Sequence, residues 1–112
     1  MPSILLLLFD FDFLFLYFDF METKRYHITV SWRVQGVGFR FFTFNAAMRL
    51  KLAGWVRNIP GGGVELEAEG PQGAVDALIE KLRQGPPISR VTDVDVYEMA
   101  AGGGAGGFEI RH

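Results

Sequence analysis

Residues 26–42, YHITVSWRVQGVGFRFF, decide how this chain folds. The first nine alternate strictly, with Tyr26, Ile28, Val30, Trp32 and Val34 on one side and His27, Thr29, Ser31 and Arg33 on the other. A period of two with one apolar side predicts a strand over 26–34 with a single buried face. Residues 35–38, QGVG, break that alternation with two glycines and read as a loop. From 39 to 53 the period becomes helical, with Phe44, Ala47, Met48 and Leu50 as the predicted apolar stripe, and Gly54 stops the helix.

Downstream, residues 54–59 form a short second strand and the turn Pro60-Gly61-Gly62-Gly63 follows. Residues 64–70 alternate Val64, Leu66 and Ala68 with Glu65, Glu67 and Glu69, so two strands and a Gly-rich turn make a hairpin. Pro71 stands near the start of a second helix, where its missing N–H does no harm. Val75, Leu78, Ile79 and Leu82 share one face of that helix, and Gly85-Pro86-Pro87 ends it. A fourth strand is predicted over 91–99, a Gly/Ala linker over 100–107, and a short edge strand over 108–111. The order β-α-β-β-α-β plus a short strand predicts an α+β fold, the ferredoxin-like two-layer sandwich. No internal repeat is visible, and the fold by itself leaves the function open.

Upstream, residues 1–20 read MPSILLLLFDFDFLFLYFDF, a composition unlike the rest. No Lys or Arg precedes the apolar stretch and no small-residue cleavage site follows it, as a secretory signal would need. Asp10, Asp12 and Asp19 interrupt it, and each Asp at the centre of a membrane span costs roughly 2.5–3.5 kcal/mol. We therefore expect residues 1–20 to be a leader upstream of a natural start at Met21, with residues 21–112 as the working domain and no membrane role.

The whole chain has 112 residues, room for one domain with a real core. It has no cysteine, which excludes disulfides and thiolate metal sites. His27 and His112 are far apart in sequence, so no metal or other cofactor is expected. The formal charge is -2, but three of the thirteen acids lie in residues 1–20, which hold no base. The remainder carries eleven bases against ten acids, and a nucleic-acid partner is not expected from such a balance.

The chemistry concentrates in Val34-Gln35-Gly36-Val37-Gly38-Phe39-Arg40, between strand and helix. Gly36 and Gly38 let the backbone turn and bring N–H groups close to a ligand. Amides converging ahead of a helix form an anion cradle, to which the helix dipole adds. Arg40 is placed for its planar fork to grip two phosphate oxygens. The same residues also suit a plain tight turn followed by a surface arginine. A second piece, Gly54-Trp55-Val56-Arg57-Asn58, ends in an Asn that by itself suits either a turn or a site.

Together the two strings closely resemble the acylphosphatase family, in which VQGVGFR is followed by GWVRN with eighteen residues from Arg40 to Asn58. The resemblance covers residues 26–111. It implies hydrolysis of acyl phosphates to a carboxylate and inorganic phosphate. It further implies that Arg40 binds the phosphate with the backbone amides of Gln35, Gly36, Val37, Gly38, Phe39 and Arg40, and that the Asn58 amide orients the attacking water. Thr43 matches a position that supports the site; a hydroxyl capping free N–H groups at the helix start is the other reading. An acyl phosphate expels a carboxylate, a good leaving group, so positioning and charge stabilisation carry the reaction. No His, Asp or Glu in either string is needed. A cytoplasmic monomer acting on a small molecule is expected.

Two positions depart from the family pattern. Trp32 stands where the family has a glycine; alternation puts it on the helix-covered face as a core aromatic, the alternative being bulk that displaces the phosphate loop. Lys51 also replaces a glycine, at a predicted left-handed helix end. Trp32 is also what would support a catalytically weak phosphate-binding relative. Residues 35–42 superficially resemble the RNP1 string of RNA-binding RRM domains. They differ at Gln35, Val37 and Arg40, and they lie ahead of the first helix rather than on the third strand.

Overall fold

The computed structural model describes residues 13–14, 16–32, 38–102 and 106–112. Seven elements follow in order: β1 (Thr23–Trp32), α1 (Phe39–Arg49), β2 (Ala53–Asn58), β3 (Val64–Pro71), α2 (Gln72–Gln84), β4 (Val91–Met99) and β5 (Phe108–Arg111). Residues 16–21 are also helical, and their side chains are exposed. Phe20 nevertheless leans on the head of α2, where any Cβ at Gly73 would overlap its ring.

The strands form one sheet in the order β4-β1-β3-β2-β5. β1 runs antiparallel to both β3 and β4, β2 antiparallel to β3, and β5 parallel to β2. This is the ferredoxin-like sandwich that the order of elements predicts. The alternation of β1 does what it promised: Ile28 and Val30 are fully buried, while Arg25 and His27 face the open side. Ile28 and Val30 meet Leu66 and Val64 of β3, and these join Val56, Val75, Leu78 and Leu82 in a single core.

Burying one face leaves the other to carry charge. On that open face Arg25 binds Glu67 at 2.6 Å and Glu69 at 3.2 Å, and Arg57 pairs with Glu65. His27 lies between Glu65 and Glu67, at 3.3 and 3.4 Å, with its ring stacked on Tyr97. Burial opposes ionisation of Glu67, yet hydrogen bonds from Arg25 and His27 outweigh it and hold its carboxyl below the ordinary range.

Two boundaries and one helix face differ from expectation. β1 begins at Thr23, because Thr23, Lys24 and Arg25 continue the pairing with β3 as far as Pro71. α1 ends at Arg49, because Lys51 adopts a left-handed conformation, φ 57°. The buried side of α1 is Phe39, Thr43 and Ala47, one turn apart, whereas Met48 of the predicted stripe is 50% exposed. Thr43 is tolerated there because its hydroxyl donates to the Phe39 carbonyl at 2.9 Å.

Candidate active site

Strand direction gathers the site. β1, β2 and β5 all run the same way, so their C-terminal ends share one rim of the sheet. Val30 pairs with Val64, and Val64 pairs with Asn58. At a strand spacing of ~4.8 Å, Asn58 thus lies about 10 Å from Val30 across the sheet. Arg57, its neighbour, pairs with Arg111 of β5. The described part of β1 ends at this rim with Trp32, and Gly38 opens the next described stretch at the start of α1.

Gly38 is the residue before the first turn of α1, with φ 64° and ψ 39°, and among the described residues no side chain caps that helix end. A left-handed residue there favours glycine, which has no Cβ to strain. The first amides of α1 are left without a capping side chain, at the positive end of the helix dipole. Arg40 projects from this turn. Its Nη1 donates to the Arg111 carbonyl at 3.4 Å and lies 3.4 Å from His112 Nδ1. Both contacts are long. Its Nε is buried and has no hydrogen-bond partner among the described residues. A half-buried guanidinium with spare donor capacity is suited to an oxyanion ligand.

Asn58 is exposed at the rim, on the same side of the strand as Val56, which is the side α1 covers. Gly54, at the other end of β2, has φ 140° and packs so closely that a Cβ would lie 2.8 Å from the Glu67 carbonyl carbon. That close approach sets the depth of β2 in the sheet and with it the position of Asn58. Thr43 is fully buried, and its hydroxyl turns back to Phe39 rather than to the free amides. Phe39 is 2% exposed beneath the helix start. Gln35, Gly36 and Val37 lie outside the described residues. Trp32 packs against the core, its ring stacked on Phe39 with centroids 4.5 Å apart and planes 6° apart.

The sequence gives no sign that Arg111 and His112 belong beside Arg40. Their approach depends on β5 docking parallel to β2, which local patterning does not specify. Among the described residues no group of three or more His, Cys, Asp or Glu is arranged to hold a metal ion. No helix among them is long and apolar enough to cross a membrane.

A family model described as acylphosphatase matches residues 26–110. The acylphosphatase of Rubrobacter xylanophilus is 53% identical over 80% of this chain and 82% of its own. That of Anaeromyxobacter is 50% identical over 81% of this chain and 98% of its own. The crystal structure of the Bacillus subtilis acylphosphatase superposes with a TM-score of 0.74 at 45% identity, covering 80% of this chain and 99% of that one. The matched span runs from within β1 to within β5 and includes residues 34–40 and 54–58. Shared sequence and shared fold agree over the same residues, and the chain belongs to the acylphosphatase family, hydrolases of acyl phosphates.

Proposed function

We propose that this chain hydrolyses the carboxyl–phosphate bond of small acyl phosphates through Arg40 and Asn58. The observation that carries the assignment is the Arg40 guanidinium at the uncapped start of α1, its Nε buried without a partner among the described residues. A phosphoryl group there meets the arginine fork, the amides of Phe39 and Arg40 and, in our assignment, those of Gln35 through Gly38. Thr43 supports the arrangement by tying its hydroxyl to the Phe39 carbonyl. Asn58 holds the nucleophilic water by its side-chain amide.

The water oxygen attacks phosphorus in line while the bond from phosphorus to the acyl oxygen breaks. The electron pair leaves with the carboxylate. The water proton passes to a phosphoryl oxygen of the substrate, so phosphate and carboxylate result without a protein base. Arg40 and the amides stabilise charge spread over the phosphoryl oxygens, where most of the rate is gained.

Residues 1–20 stand outside this assignment: the family match starts at residue 26, and the described side chains of that segment are exposed. A site built from one chain supports a monomer, which gel filtration tests; a cytoplasmic location is also proposed, and cell fractionation tests it. The open face of β3 carries Glu65, Glu67 and Glu69, each paired with Arg25, His27 or Arg57. Acidic side chains at that position disfavour RNA phosphates.

Benzoyl phosphate hydrolysis tests the assignment. Arg40→Ala is expected to lower kcat/KM by at least roughly 10²–10³-fold, the cost of losing one oxyanion donor. Asn58→Ala is expected to reduce kcat by a similar factor while inorganic phosphate still binds. Near-parental turnover in either folded variant refutes the roles.

A further inference from the structure

Six residues separate Trp32 from Phe39, yet their rings are parallel and 4.5 Å apart. Trp32 is the last described residue of β1, on the core-facing side with Ile28 and Val30. The register slips just before it: Ser31 pairs with Asp93, but Trp32 pairs with Val91. A bulge of this kind re-aims the side chain at the end of a strand, and here the indole ends on Phe39.

Phe39 is held from three directions. Trp32 stacks on one side of its ring, Phe42 meets it edge-on at 5.5 Å, and the Thr43 hydroxyl binds its carbonyl at 2.9 Å. The next residue is Arg40. The residue before is Gly38, which is exposed, left-handed and open to space where a Cβ would stand. Gly38 therefore gives the helix start no packing of its own. The direction in which α1 presents Arg40 depends on how firmly Phe39 is seated.

We propose that Trp32 is a positioning residue for phosphate capture. Its stack on Phe39 fastens the end of β1 to the first turn of α1 and so sets the aim of the Arg40 guanidinium. Pinning both sides of a six-residue connection also removes conformations that would otherwise be lost when the ligand binds. Where a glycine would put no ring on this side of Phe39, this chain adds one to the packing that already buries it. The proposal rests on Arg40 being the phosphate ligand.

The test uses the full chain and three variants, Trp32→Phe, Trp32→Leu and Trp32→Gly. For each, kcat and KM with benzoyl phosphate, the affinity for inorganic phosphate by titration calorimetry, and the urea midpoint are measured. Trp32→Leu and Trp32→Gly are expected to weaken phosphate affinity and raise KM in parallel, by roughly twofold to tenfold, the worth of one aromatic stack. The fall in kcat should be smaller. Trp32→Phe, which keeps a ring on Phe39, should stay within about twofold of the parent in both constants.

A tryptophan that only fills space would behave differently. Urea midpoints would fall in the variants while phosphate affinity and KM of the folded protein stayed at parental values, and that result overturns the proposal. If Trp32→Gly does not fold, the Leu and Phe variants still decide. Failure of the underlying function looks different again: the parent would not hydrolyse benzoyl phosphate, or Arg40→Ala would bind phosphate as the parent does.

Discussion

Replacing Lys51 by glycine probes the backbone at the far end of the helix that carries Arg40. Lys51 has φ 57°, the single non-glycine with positive φ among the described residues. Its N–H donates to the Met48 carbonyl at 3.1 Å, and that of Leu52 to the Ala47 carbonyl at 3.0 Å. This pair of bonds, with Leu52 and Ala47 both buried, is a Schellman ending, which calls for a left-handed residue at Lys51. Holding a residue with a Cβ in that region costs about 1–2 kcal/mol. Glycine removes the cost but loosens the unfolded chain, giving back about 0.4–1 kcal/mol. The expected net gain for Lys51→Gly is about 0.5–1 kcal/mol, which in a domain of this size raises Tm by about 2–8 °C. Urea unfolding should show a higher midpoint at an unchanged slope. Lys51→Ala is the control: it keeps the Cβ, loses the ammonium, and should stay near the parent. Activity should not change, since Lys51 lies at the opposite end of α1 from Arg40. Equal or lower stability of Lys51→Gly would show that this helix end is not held as described.

Gly54→Ala should be severely destabilising, by about 2–5 kcal/mol, since the new methyl would be driven into the Glu67 backbone at a strained φ of 140°; a urea midpoint near the parent's would contradict that packing. Glu67 has a folded pKa below its ordinary 4.5. Its contribution is therefore complete above about pH 4.5 and is lost as pH falls through the lower folded value. Glu67→Gln should be less stable than the parent by about 1–2 kcal/mol at pH 7, with the gap closing toward pH 3; a gap constant with pH would disprove the linkage. Protein starting at Met21 should hydrolyse benzoyl phosphate at the rate of the full chain, and a large loss would give residues 1–20 a part in the domain.

What could be read from sequence follows from how local each signal is. The alternation of β1 needed no partner to be visible, and it placed Trp32 on the side where it packs. The alternation of three glutamates along β3 separated its two faces in the same way, although Glu69 is buried under its ion pair. α1 was harder, because Phe41 and Met48 are exposed while Thr43 is buried. Apolar residues occur all around that helix, so periodicity could not choose its inner side. Its true end, at Arg49 ahead of the left-handed Lys51, was suggested only by comparison with a family that has glycine at that position. Arg40 and Asn58 were paired as candidates through the resemblance of their two strings to the acylphosphatase family. The approach of Arg111 and His112 to Arg40 was not, because it is set by the parallel docking of β5 on β2.

That β1 is paired along both of its edges has a consequence for how the protein reaches its native state. β1 must find β4, where Arg25 sits opposite Met99, and β3, where it sits opposite Gly70's neighbour Glu69. Both pairings close long stretches of chain before any contact rewards them. Topologies dominated by such distant pairings fold in milliseconds to seconds rather than microseconds. Refolding followed by recovery of activity should therefore be slow for so small a domain.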